Sequence, residues 1–121
     1  MGAFAEPRDP APGTDARVAL ITAPDLETAR TLARDLVSSG TIACANLVPG
    51  VESIYRWRGA VEESREVLLV VKTTAARLAE LESRVSELHP YEVPELVVLA
   101  PEHVAAPYLA WLAAETAPAP R

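Results

Sequence analysis

A single cysteine, Cys44, stands among the 121 residues, which excludes an intrachain disulfide and every zinc or redox motif built on paired thiols. Glycine is scarce, with five residues and no glycine-rich run, so the usual loop that cradles a phosphate is missing. Positive charge is short as well: 11 Lys and Arg face 17 Asp and Glu, for a formal net charge of −6. Nucleic acid and anionic membrane both require a basic face, so neither is expected as a partner. No Ser-His-Asp order stands out, and no acid pair at helical spacing has a base beside it, so the chain reads as a binder and not as an enzyme. No apolar stretch reaches bilayer length and no start resembles a signal peptide, which makes the cytoplasm the expected compartment.

Apolar residues are plentiful, at half of the chain, as in globular proteins. The length suits one domain with a single core. The flanks, residues 1–16 and 115–121, are rich in Pro and Ala and lack apolar periodicity, and read as loose tails. The folded domain is expected over residues 17–114.

Within it, "VALITA" (18–23) reads as a buried strand. Asp25 can cap a helix with Leu26, Ala29, Ala33, Leu36 and Val37 at helical spacing, and Gly40 can end it. "TIACANLV" (41–48) reads as a second strand, broken at Pro49-Gly50. "VESIYRW" (51–57) alternates, Arg58-Gly59 supplies a two-residue turn, and "AVEESREVLLVVKTT" (60–74) returns. That turn sets Glu52 opposite Arg65 and Tyr55 opposite Glu62. Thr74 can cap a second helix carrying Leu78, Leu81, Val85 and Leu88, which Pro90 stops. "ELVVLA" (95–100) reads as a last core strand. Pro107 opens a short helix that offers Tyr108, Trp111 and Leu112 for packing. The order predicts an α+β fold, a ferredoxin-like βαββαβ sandwich with a long hairpin between its second and third strands and an extra C-terminal helix. A hairpin this long overshoots a small core, and strand edges that overshoot find another subunit.

The segments "TAPD" (22–25), "ACANLVPGVESIYRWRG" (43–59), "EVLLVVKTT" (66–74), "LHPYEVPEL" (88–96) and "YLAWL" (108–112) resemble, in order and spacing, the CutA divalent-cation-tolerance proteins. The resemblance covers about residues 18–114. It implies a cytosolic homotrimer of PII-like shape whose long hairpins pair across subunits, linked to tolerance of copper and other divalent metals. It also implies a copper contact at the histidine of "HPY", which is His89 here, and a shared cysteine position at Cys44. Other members carry a cysteine just before "TAP" and a second histidine before "HPY". Ile21 and Leu88 stand there in this chain, so any copper or other divalent ion would be held weakly, since strong transition-metal sites take three or four ligands.

From the residues themselves, His89 has a structural account as a histidine at a helix C-terminus, its N–H groups given to the last carbonyls. Cys44 has one as a small buried apolar residue, its alternative being a soft-metal ligand if it faces a cleft. "HPYEVPE" (89–95) is first a stiff elbow, because each proline biases the residue before it to extended geometry. Lys72 on an apolar strand needs a partner, with Glu66, Glu92 or a bound anion as candidates. By analogy with the interface pockets of PII-like trimers, it would line an intersubunit cleft together with Tyr55, Trp57, Tyr91 and Glu92, the alternative for the aromatic residues being plain packing at a subunit contact. The rival function is a PII-like signalling trimer that takes a small anionic metabolite there. His103 falls in a loop with no ligand spacing around it.

Overall fold

A computed structural model describes residues 15–118; the expected N-terminal tail lies outside them up to residue 14, as do residues 119–121. Eight elements follow one another: β1 Ala16–Ala23, α1 Leu26–Ser38, β2 Cys44–Trp57, β3 Ala60–Thr74, a 3-10 turn Ala75–Arg77, α2 Leu78–Leu88, β4 Val97–Leu99 and α3 Ala106–Glu115. The four strands form one sheet in the order β2-β3-β1-β4, and every neighbouring pair is antiparallel. β1 and β2, joined through α1, are therefore not sheet neighbours, because β3 lies between them. This is the split arrangement of the ferredoxin-like sandwich.

Local chemistry explains most element boundaries. Asp25 stands in extended geometry and its carboxylate accepts the Thr28 N–H at 2.7 Å, which closes the first turn of α1 and pulls its carboxyl below the ordinary carboxylate range. β2 does not stop at Pro49-Gly50. It runs on through a bulge, with the register shifting between Val48 and Val51 and Gly50 at φ 76° absorbing the kink. The turn at Arg58-Gly59 has both residues at positive φ, 51° and 83°, the geometry whose twist suits a two-residue hairpin. The pairs Glu52–Arg65 and Tyr55–Glu62 face each other as the turn length requires.

The main core lies between the odd-numbered side of β1 and β3 and the helices α1 and α2: Ala19, Ile21, Ala23, Leu69 and Val71 meet Ala29, Leu32, Leu36, Leu81 and Val85. Leu32 is buried where Val37 was expected, and Val37 and Leu88 are exposed. Each sits one step past the edge of its helix's apolar stripe. Thr74 begins the 3-10 turn without a capping side chain; its hydroxyl instead pairs with that of Thr116 at 3.1 Å. Fold and order thus run past Ala114, since Thr116 is buried and its carbonyl accepts from Arg77 Nε at 2.8 Å.

The opposite side of the sheet is mostly bare. Alternation places three cross-strand rows on it: Leu99–Val18–Lys72–Cys44, Val97–Leu20–Val70–Asn46 and Thr22–Leu68–Val48. Both ends of this face are covered: Leu112 of α3 buries against Ala16 and Ala43, and at the other end Thr22 and Glu66 are buried. "ELVVLA" is accordingly not a core strand within one chain: Val97, Val98 and Leu99 are 47%, 37% and 50% exposed. Tyr108 and Trp111 meet as tilted rings, centroids 5.4 Å apart, and stay exposed, so of the three residues of α3 only Leu112 is buried.

A polar seam joins the helices beside the core. The buried Thr41 hydroxyl donates to Glu80, which also meets Arg77 at 3.1 Å and Arg84 at 3.5 Å, and Arg84 reaches Asp35 of α1 at 3.0 Å. The Thr41 hydrogen bond holds the Glu80 carboxyl below its ordinary value of 4.5 against the opposing effect of burial, with Arg77 and Arg84 each adding less. A depressed carboxyl contributes stability above its unfolded pKa and loses it as pH falls through the folded value. Thr41→Val is expected to flatten the rise of stability with pH on the acid side of pH 4.5, read from urea unfolding at a series of pH values. Leu81→Ala, at a fully buried position, is expected to cost about 2–5 kcal/mol at any pH.

Candidate functional site: the groove beside the elbow

Pro90 cannot continue a helix, so α2 ends at Leu88, and His89 takes the extended conformation expected before a proline, φ −80°, ψ 135°. Its backbone N–H still reaches the Val85 carbonyl at 2.9 Å, but its ring turns away from the helix carbonyls and over β1. The Tyr91 backbone N–H donates to Nδ1 at 3.1 Å. Nδ1 therefore carries no proton, and Nε2 holds it and donates to the Thr22 carbonyl at 2.7 Å. The ring is 7% exposed and lies 4.7 Å from the Tyr91 ring. This corrects the capping account, since the ring's acceptor is on a strand and not on the helix. It also leaves no nitrogen lone pair for a metal in this geometry.

The same elbow aims Tyr91 at the sheet. Its phenol donates to Glu66 Oε2 at 2.7 Å, and burial, then this carboxylate, push the phenol well above its usual value of 10. Glu66 is itself 8% exposed and forms one wall of a groove of about 570 Å³ bounded by the hairpin, from Glu66 out to Trp57, and by the elbow. Tyr55, Trp57, Glu92 and Glu95 line it further. Tyr55 Oη accepts from the Ser64 hydroxyl at 3.4 Å. At the rim, Arg58 donates to Glu92 at 2.9 Å and lies over the Trp57 ring, 5.3 Å from its centroid.

Four of the expected cleft residues, Tyr55, Trp57, Tyr91 and Glu92, thus gather at one place. Lys72 does not join them. It sits in the row farthest from Thr22 and donates to Asn46, so neither Glu66 nor Glu92 is its partner within the chain. The groove holds three glutamates, and the anionic-metabolite reading loses its counter-charge there. Cys44 faces Lys72 directly across the strand pair and touches Tyr108, whose phenol is raised mainly by burial and then by this thiol. It is partly exposed, not a sealed core residue, and it is remote from His89, which packs on Thr22. Among the described residues no three His, Cys, Asp or Glu side chains converge as a metal site. Glu66 was missed as a groove residue, although strand alternation with Leu68 and Val70 already placed its carboxylate on the face away from the main core.

Tyr91→Phe removes the donor to a buried carboxylate and is expected to destabilise by about 1–3 kcal/mol. A phenol whose pKa is raised on folding supports the fold below its unfolded pKa of 10 and loses that support as pH rises beyond it. The alkaline loss of stability above pH 10 is therefore expected to shrink in Tyr91→Phe, measured by urea unfolding alongside the 295 nm phenolate absorbance.

Comparison with known proteins adds a family. The model of the CutA1 divalent ion tolerance protein matches residues 17–115. The divalent-cation tolerance protein CutA of Thermus thermophilus is 50% identical over 99 residues, covering 82% of this chain and 96% of the relative. The solved CutA1 structure from the same species superposes with a TM-score of 0.82 at 50% identity, covering 84% of this chain and 98% of that one. A CutA from Archaeoglobus fulgidus, described as a periplasmic divalent cation tolerance protein, superposes with a TM-score of 0.81 at 30% identity, covering 84% and 98%. No helix of the described residues is long and apolar enough to cross a membrane. With the whole domain matched and half of its residues shared with one relative, the chain belongs to the CutA1 divalent ion tolerance family.

Proposed function

We propose that this protein acts as a homotrimer in the tolerance of divalent metal ions, copper among them, by binding and without catalysis. The metal-response part rests on the relatives, which are named for divalent-cation tolerance. The assembly part is carried by one observation, the apolar sheet face that the chain leaves uncovered. Val18, Leu20, Leu68 and Val70 lie on it, continued outward by the exposed Val48, Val97 and Leu99. Contiguous apolar surface of this kind marks a contact with another molecule. The hairpin points the same way: from Ile54 to Glu63 it is exposed on both strands, and the outer edge of β2 ends the sheet, ready to pair with a neighbour's strand. A closed ring of copies satisfies both needs with no edge left over.

Metal binding in this reading belongs to the assembly. Within one chain His89 is committed to Thr22 and Tyr91. Cys44 is the remaining soft donor, with the Lys72 ammonium across from it opposing a cation. The proposed compartment is the cytoplasm, where a lone thiol stays reduced.

Leu20→Asp places a charge in the middle of the bare face without touching the main core, and is expected to convert the trimer to monomers in sedimentation. A wild-type chain that sediments as a monomer would overturn the assembly. Titration of the trimer with Cu(II), Cu(I) and Zn(II) is expected to show weak binding that Cys44→Ser reduces, whereas His89→Ala lowers the melting temperature more than the affinity. Tight metal binding by the monomeric variant would contradict the reading.

A further inference from the structure

We infer that the groove between the hairpin base and the elbow is a binding site for a small organic cation carrying a guanidinium or primary ammonium head. Its most buried polar wall is the Glu66 carboxylate, more than nine-tenths shielded from solvent. The one donor it meets among the described residues is the neutral Tyr91 phenol, and none of their ion pairs reaches it. A shielded carboxylate is costly until a cation and further hydrogen bonds compensate it. The groove supplies the place for one, with Glu95 and Glu92 along the same wall and Tyr55, Trp57 and Tyr91 presenting aromatic surface. Aromatic faces with carboxylates suit a weakly hydrated organic cation, which binds over a ring through the ring's electron-rich face. A bare divalent ion instead needs several oxygens converging on one point, and no such group of three acidic, His or Cys side chains exists among the described residues.

The chain supplies its own example of the ligand. Arg58 places a guanidinium 5.3 Å from the Trp57 ring centroid and bonds Glu92 at 2.9 Å. It does so from a left-handed backbone position, φ 51°, where asparagine or glycine fits with less strain. Both members of that pair are largely exposed, at 72% and 67% for the side chains, so the contact holds Arg58 by no more than a factor of about five in equilibrium. Arg58 is a weak, displaceable occupant of the rim, and the deeper Glu66 position is left for a ligand from solution. This assignment does not depend on the metal-tolerance reading.

The probe is agmatine, which carries a guanidinium and an amine, titrated into the full-length protein with a Trp111→Phe background so that Trp57 alone reports by fluorescence. Agmatine is expected to bind and quench Trp57, with succinate and magnesium producing no change. Glu66→Gln, which keeps the acceptor for Tyr91, is expected to weaken binding about tenfold or more, and Trp57→Leu, read by calorimetry, about twofold to thirtyfold. Arg58→Asn, which suits the left-handed turn, is expected to strengthen binding by up to about fivefold. Circular dichroism and melting of each variant separate loss of the site from loss of the fold. The inference is overturned by no agmatine binding to a folded wild-type protein, by equal affinity in folded Glu66→Gln, or by weaker binding in Arg58→Asn.

Discussion

A four-stranded sheet has two faces, and this chain has enough helix to cover one of them. α1 and α2 bury the odd-numbered side of β1 and β3, while α3 is short and reaches only the end of the other side through Leu112. Water cannot be left against rows of Val and Leu without loss of the largest favourable contribution to folding. Everything outside the main core follows from that constraint. The exposed β4, the overshooting hairpin and the partly covered Cys44–Lys72 row are what this constraint leaves for the proposed assembly to complete.

Much of this was legible in the sequence because it depends on local chemistry. The turn at Arg58-Gly59 determines the hairpin register by loop length alone, and Glu52–Arg65 and Tyr55–Glu62 pair as counted. Asp25 and Pro90 mark helix ends through a hydrogen bond and a missing one. What failed was long range. Thr74 had the makings of a cap, yet its hydroxyl went to Thr116, 42 residues on, because α3 brought a buried acceptor close enough to compete. Lys72 was assigned to the aromatic cleft although β3 carries it to the other end of the sheet, a separation that residue types cannot disclose. "ELVVLA" looked like core since an apolar run does not say whose core it enters.

The elbow shows how one short segment serves structure and site together. Two prolines restrict the chain between α2 and β4, and that stiffness lets His89 bond both Thr22 and Tyr91. The bond from Tyr91 N–H holds the tyrosine in place, so its phenol meets Glu66. A histidine that looked like a ligand is better described as a positioning residue, one step removed from the groove that it shapes.

The chemistry of that groove then argues against treating metal and ligand as a single question. A soft ion would seek the thiol of Cys44, which lies on the bare sheet face beside Lys72, where the proposed assembly would have to add the other donors. An organic cation would seek Glu66 and the rings around it, a site the hairpin and elbow of one chain already build. Along β3 the two positions are separated by the Leu68 and Val70 rows, which the proposed assembly would cover.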